Sequence, residues 1–448
     1  MSLLIQNATI INEGRSLVGS VLIMKDRIQE VYPAGASLPP AEVVVDAANK
    51  WLIPGAIDSH VHFREPGALQ KGSIATESAA AVAGGVCSFM DMPNNNPPCC
   101  SVALLEDKYR RAAQSSYANY AFYLGADHEN IEEIKKIDPT RVPGVKLFMG
   151  ASTGNMLVDR IDVLIRIFEE SPLLIAVHCE EEAIICQNLM EAKRKYSNHI
   201  TPEMHPIIRS REACIASTQK AIALALKQKR RLHILHLTTQ EEVELLAKTR
   251  ETAPWITGEV CVHHLYFTDQ DYATYGNLIK CNPAIKSLSD RNALREGVRR
   301  GIIQVVGTDH APHTWEEKQR PYLESPSGLP MIQHSLPLLF GLAKEGIFTP
   351  EEVVAVMCHG PAENFNVVKR GFIRKGYYAD LVLLDPNTPT PTKVPDSLYY
   401  QCKWSPFSQI EIPISISHTF VNGRLAYTAE NGVAKERYAQ PLIFERDE

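Results

Sequence analysis

Two hydrophobic rhythms divide the chain. Up to about residue 52, short β-rich runs (Leu3-Leu4-Ile5, Ala8-Thr9-Ile10-Ile11, Ser20-Val21-Leu22-Ile23, Ile28-Gln29-Glu30-Val31) are separated by Asn, Gly and Asp turns. Strands, and no helix of any length, are predicted there. From residue 53 to about 370, continuous apolar runs alternate with longer helical stretches. The runs are Ile53–Asp58, Val86–Met90, Tyr120–Leu124, Val145–Met149, Leu173–Val177, Leu232–Leu235, Trp255–Val260 and Ile302–Val306. Apolar runs without polar alternation suit parallel strands buried on both faces. Eight of them with intervening helices predict an α/β fold, a (β/α)8 TIM barrel. Beyond residue 370, strand-and-turn sequence returns at Ala379–Pro386 and His418–Gly423, with a Pro- and Thr-rich loop expected from Asp385 to Pro395. The expected division is therefore a barrel over 53–370 and a small β-sandwich domain built from both chain ends, 1–52 and 371–448.

Composition narrows the function classes. Of 448 residues, 45% are hydrophobic and 22% charged, ordinary for a soluble enzyme. The net charge of −6 argues against a nucleic-acid partner. No run of about 18 apolar residues predicts a membrane span. The first residues lack a basic segment leading into an apolar one, so no signal peptide is expected. Ten cysteines without a CxxC pair read as thiols in a reducing compartment, which predicts a cytoplasmic protein.

Barrel active sites lie at the C-terminal ends of the strands, so the residues following each run carry the chemistry. After the first run stand His60, His62 and Arg64, spaced by two and therefore facing the same way in extended chain. Lys146 lies in the fourth run, His178 follows the fifth, His236 the sixth and Asp309 the eighth. A lone histidine is more often packing than a ligand. Four at equivalent strand ends, with a carboxylate, point instead to divalent metal such as zinc. One catalytic ion needs only three protein ligands, so five candidates suggest two ions. Lys146 reads either as an ordinary charge at a strand end or as a buried amine of depressed pKa. In the second case it takes up carbon dioxide as a bridging carbamate. Arg64 suits bidentate pairing with a substrate carboxylate, an ion pair with Glu65 being the simpler alternative. His263 and His264 are neighbours that face opposite ways on a strand; His263 reads as packing and His264 as support behind the ligands. His310 reads as shaping its loop and Asp58 as orienting the His60–His62 segment. Gly84-Gly85 precedes its strand and reads as a turn, not a phosphate loop.

Asp58-x-His60-x-His62-x-Arg64-Glu65-Pro66-Gly67, Met92-Pro93-Asn94 and Asp309-His310-Ala311-Pro312-His313 together resemble the amidohydrolase superfamily and, within it, the dihydroorotases of lysine-bridged binuclear zinc type. The likeness extends over essentially the whole chain. It implies two zinc ions, one on His60 and His62, the other on His178 and His236. Carboxylated Lys146 and a hydroxide would bridge them, with Asp309 completing the first site and acting as the catalytic acid and base. Substrate contacts implied are His62, Arg64, Asn94, Asn282, His313 and Gly328. The segment Ser327–His334 departs from the commoner family pattern, in which Glu follows a second Gly. The implied reaction is reversible hydrolysis of dihydroorotate to N-carbamoyl-L-aspartate in de novo pyrimidine (UMP) synthesis, by a homodimer. A related ring hydrolase, an allantoinase or dihydropyrimidinase, is the nearest alternative; Arg64 speaks against it, because a ring without a carboxylate leaves the guanidinium unmatched. A non-catalytic scaffold relative is disfavoured because all six ligand positions are filled.

Overall fold

A computed structural model describes residues 2–150, 156–197, 199–392 and 397–446. Of the expected Asp385–Pro395 loop, residues 393–395 lie outside the described residues. Among the described residues eight parallel strands form the barrel: β1 (Ala56–Val61), β2 (Val86–Asp91), β3 (Asn119–Phe122, continuing as Leu124–Gly125), β4 (Val145–Phe148), β5 (Ile175–His178), β6 (Leu232–Ile234), β7 (Ile256–Cys261) and β8 (Val305–Gly307). Each pairs in parallel with the next. The ring closes through a parallel bridge between Val61 and His310, where His62 N–H donates to the His310 carbonyl at 2.8 Å.

The pleat sorts the side chains. Val145, Leu147, Ile175, Val177, Leu232 and Ile234 face outward and share one core with helix residues such as Ile167, Leu224 and Leu246. Ile57, Met90, Ala121, Ala176 and Leu235 form a second core with Phe365, Leu442 and Phe444. Helix starts are set locally. Ser73, Thr239 and Ser287 cap the helices Ile74–Ala83, Gln240–Arg250 and Leu288–Arg299, and each donates its own N–H in return to the side chain of the third helical residue. No helix among the described residues is long and apolar enough to cross a membrane.

The chain ends supply a separate sheet. It joins Ser2–Asn12, Arg15–Met24, Arg27–Pro33, Val43–Asp46 and Trp51–Pro54 to Leu381–Asp385, Ser415–Val421, Arg424–Thr428 and Gly432–Val433. It bends back far enough for Ala379 N–H to donate to Asp26 O at 2.9 Å, and it encloses its own core of Leu3, Val21, Ile28, Leu381 and Phe420. Two expected strands near the N-terminus are one, with a register shift between Ile5 and Ala8 where Asn7 takes φ 63°. The first expected barrel run is in turn two strands. Trp51–Pro54 pairs with Leu381–Leu384 of the end sheet, and β1 begins only at Ala56. The last residues leave the sheet: Leu442 N–H donates to Tyr120 O at 2.8 Å, bringing Leu442 and Phe444 to the barrel interior.

Gly55 is the seam between the two parts. Its N–H donates to Asp380 O at 2.7 Å, and a Cβ there would stand 2.5 Å from Cys87 Sγ and 2.9 Å from Asp380 Cβ. Gly55→Ala is expected to destabilise the protein by about 1–3 kcal/mol through overpacking. A fall in the urea midpoint at unchanged slope checks this.

Candidate active site

Two strand ends, those of β1 and β8, meet at Asp309. His60 Nε2 lies 3.2 Å and His62 Nε2 2.9 Å from Asp309 Oδ1. The rear nitrogen of each ring is held: His60 Nδ1 by Glu259 Oε1 at 2.7 Å, His62 Nδ1 by Asn94 Oδ1 at 2.6 Å. Both bonds leave Nε2 with its lone pair directed at the cluster. Behind them Asp58 accepts from His60 N–H at 3.2 Å and from Thr308 N–H and Oγ1 at 3.1 and 2.6 Å, tying the end of β1 to that of β8. Burial raises the Asp58 carboxyl to about 7, against the bonds from Thr308 and His60.

The second cluster faces the first. His178 Nδ1 lies 2.8 Å from His236 Nε2, and the His60 and His236 ring centres are 5.4 Å apart. His178 Nε2 is held by Glu180 Oε2 at 2.9 Å, and Arg209 bonds the same oxygen. Strand parity alone would turn His236 outward with Leu232 and Ile234. Its backbone instead takes φ 40° beyond the end of β6. Arg64 and Asp309 also adopt left-handed conformations, at φ 66° and 48°. Strain of this kind concentrates where side chains must be aimed. Burial lowers the pKa of His178 and His236, and brings His62 to about 4 despite Asp309. Burial opposes ionisation of Asp309 as well, but His60, His62 and His236 outweigh it and hold the carboxyl well below its usual value. Burial thus favours the neutral ring at His62, His178 and His236, the form in which imidazole binds a metal.

One cavity is lined by His60, His62, Arg64, Asn94, Lys146, Phe148, His178, His236, Asn282, Asp309, Ala311, Ser327 and Gly328. The structure thus brings together every candidate metal ligand and substrate contact named from the sequence except His313. That ring lies one layer back, with Nε2 3.1 Å from Arg64 Nη2 and 3.0 Å from Ser327 O, and Nδ1 3.1 Å from Lys71 Nζ. Burial brings its pKa to about 3. Arg64 is buried, and its Nε donates to Pro312 O at 3.1 Å. Among the described residues no carboxylate lies within ion-pair distance of it. The Glu65 pair weighed above does not form, because Glu65 accepts from Ile74 N–H at 2.9 Å and faces Arg111 at 3.5 Å. Asn282 Oδ1 is buried without a hydrogen-bond partner among the described residues. Gly328 has φ 132°, and a Cβ there would lie 2.6 Å from Ala311 O. Its N–H donates to Lys280 O and its carbonyl accepts from Lys318 Nζ, both at 2.8 Å, so its backbone groups already serve the loop. His62 likewise has both ring nitrogens engaged.

Two carboxylates escaped the sequence reading. Glu259 is wholly buried in β7 and also accepts from Ser59 Oγ at 2.8 Å. Burial disfavours its charge, yet His60 and His233 hold it near 2. Glu180 is its counterpart behind His178, held near 2 chiefly by Arg209 against burial. A glutamate inside an otherwise apolar strand is the signal that marks Glu259. His310, near Asp309, bonds Glu77 at 2.7 Å and accepts from Met331 N–H at 2.9 Å, which anchors its loop.

The donor set fits a divalent metal. One donor atom each of His60, His62 and Asp309 lies within 4.8 Å of the others. The separations of 2.9 and 3.2 Å are those of atoms sharing an ion bonded at about 2.0–2.1 Å. Carboxylate or amide partners on the rear nitrogens are the usual support of ligating histidines.

A family model described as the amidohydrolase family matches residues 51–426. A dihydroorotase of Halobacterium salinarum is 33% identical over 370 residues, 82% of this chain and 84% of its own. One of Ehrlichia canis is 30% identical over 442 residues, 95% of each chain. Among solved structures, the L-hydantoinase (dihydropyrimidinase) of Arthrobacter aurescens has a TM-score of 0.92 at 24% identity, over 98% of this chain and 99% of its own. The dihydropyrimidinase of Brevibacillus agri reaches 0.88 at 22% identity over the whole of both. At such identity the structural likeness speaks for the fold.

Lys146 yields a pH prediction. It is 1% exposed, and burial lowers its ammonium to about 7 from 10.5, against the pull of Asp309 and Glu259. Between those values the unfolded chain binds a proton that the fold does not. Stability of the metal-free protein therefore rises with pH there, by at most about 1.4 kcal/mol per unit. Lys146→Met removes this contribution. Denaturant midpoints of the wild type should climb relative to the variant from pH 7 to 10.5, and parallel profiles would refute the assignment.

Proposed function

The chain belongs to the amidohydrolase family, and on that premise we propose that it is a dihydroorotase, hydrolysing the ring amide of L-dihydroorotate reversibly to N-carbamoyl-L-aspartate in pyrimidine synthesis. The observation that carries the reading is Arg64. It is a buried guanidinium lining the donor cavity with no carboxylate of its own, which suits a substrate that brings one. Allantoin and dihydrouracil bring none.

Two zinc ions fit the donors, one on His60, His62 and Asp309, the other on His178 and His236, with Lys146 between them. When bound, the metals supply Lewis acidity toward the scissile carbonyl and lower the pKa of water. Lys146 suits the bridge as a carbamate. Its neutral amine attacks carbon dioxide, an N–C bond forms and one amine proton leaves. Arg64 pairs bidentately with the ring carboxylate. Asn94 stands beside it in the cavity wall, its carbonyl end holding His62. Asn282 Oδ1, buried without a partner among the described residues, accepts from a ring N–H. His313 stays behind Arg64 and fixes its direction rather than touching substrate. Asp309 Oδ2 takes the proton of the attacking water and returns it to the ring nitrogen as the C–N bond breaks. In the synthetic direction it removes a proton from the carbamoyl nitrogen. On this reading the catalytic unit spans 53–370, the end sheet packs beside it, and a homodimer works in the cytoplasm.

Asp309→Ala is expected to abolish turnover while much of the metal stays bound. Activity assays paired with metal analysis check this, and a variant that keeps substantial activity overturns the assigned role. Arg64→Met should raise KM for dihydroorotate about 10- to 100-fold, the worth of a charge-assisted pair. Wild-type kcat/KM should be far higher for dihydroorotate than for allantoin or dihydrouracil. The reverse order would sink the substrate assignment.

A further inference from the structure

His263 and His264 have a chemistry that neither packing nor support accounts for. β7 ends at Cys261 and leads directly into the short helix Val262–Tyr266. That turn brings Cys261, His263 and His264 together, with one donor atom of each within 4.8 Å of the other two. All three residues are buried. Neither ring nitrogen of His263 has a hydrogen-bond partner among the described residues, nor has Nδ1 of His264. His264 Nε2 lies 3.1 Å from Pro283 O, a bond that leaves Nδ1 with its lone pair. Imidazole nitrogens buried this deep without partners are costly. Two imidazoles and a thiol within reach of one point form the mixed nitrogen and sulfur set that zinc-like ions take.

We propose that Cys261, His263 and His264 hold a transition-metal cation of the zinc type, distinct from the proposed catalytic pair and structural in role. On binding, the Cys261 S–H bond breaks and the proton leaves to solvent. The thiolate sulfur then gives an electron pair to the metal, and both imidazoles bind neutral. A non-protein ligand completes the tetrahedron. The ion braces two parts of the active site from behind. Glu259, two residues before Cys261, holds His60. His264 bonds the carbonyl of Pro283, next to Asn282 in the cavity wall.

The test uses full-length protein loaded with cobalt(II). Thiolate coordination produces a sulfur-to-cobalt charge-transfer band in the near ultraviolet. The proposed catalytic donors are nitrogen and oxygen only and give none; because Cys261 also lies within 4.8 Å of donor atoms of His60 and Glu259, the His263→Gln arm assigns the band to this site, whatever becomes of the dihydroorotase reading. The band is expected in the wild type, together with one cobalt ion per chain beyond the catalytic complement. Cys261→Ser should abolish it. Cys281→Ser should keep it, although that sulfur lies 3.9 Å from His264 Nε2. His263→Gln retains the thiol and serves if Cys261→Ser does not fold; it should need at least tenfold more cobalt to reach half of the band. A cobalt-loaded wild type without the band overturns the proposal. So does a band that survives Cys261→Ser, or one whose cobalt dependence is unchanged in His263→Gln.

Discussion

Everything at this site depends on which nitrogen of each imidazole carries the proton. A ring can offer a lone pair to a cation only if its other nitrogen gives its hydrogen elsewhere. Glu259 takes that hydrogen from His60, Asn94 from His62 and Glu180 from His178. Buried carboxylates are expensive unless bonded. Here each is matched by more than one partner: Glu259 by His60 and Ser59, Glu180 by His178 and Arg209. The supporting shell is therefore as constrained as the donors. A change in it acts on the cavity without touching it.

The fold was legible because a barrel strand buried on both faces has one simple signature, an apolar run of strand length. All eight runs hold barrel strands, and the chain ends come together in one sheet. What periodicity could not locate was the seam at Gly55. Residues 51–58 are apolar on both sides of it, and only the partner strand decides which sheet each half joins. The donor cluster was legible by position, since His60, His178, His236 and Asp309 lie at or just beyond the ends of barrel strands and, with Lys146 inside β4, line one cavity. The parity argument is weaker for His236 and Asp309, which are aimed by positive φ rather than by the pleat. Glu259 escaped because a glutamate in an apolar run does not announce whether it faces helices or the barrel axis. His313 was placed correctly along the chain but one layer too near the cavity, since its contact with Arg64 spans 249 residues and has no local signal.

The wall opposite the donors is built on the opposite principle, cations satisfied by neutral oxygen. Lys318 Nζ donates to the carbonyls of Pro326 and Gly328 at 2.9 and 2.8 Å. Lys280 Nζ donates to those of Tyr322 and Ser325. Burial lowers the pKa of both. Together they fasten the segment carrying Ser327 and Gly328, and the Gly328 N–H closes the arrangement on Lys280 O. A glycine is required there, because a side chain at φ 132° would also collide with Ala311. The segment is thus held in place by its own backbone acceptors before any ligand arrives.

That fastening explains why the positive charge of Arg64 stays available. Lysines that neutralise themselves against main-chain carbonyls need no carboxylate nearby. The acids that are nearby are already committed: Glu317 to Lys71 at 2.8 Å, Glu77 to His310 at 2.7 Å, Asp91 to Lys108 at 2.5 Å. Each pairing takes from Arg64 an anion that would otherwise compete with a ligand. His313, kept neutral by burial, supports the guanidinium without quenching it. Arg64 is thus left as a cation of the cavity wall that no carboxylate among the described residues pairs with. A ligand carboxylate that reaches it is fixed at one end, which orients the rest of the molecule toward the donor cluster before any bond is broken.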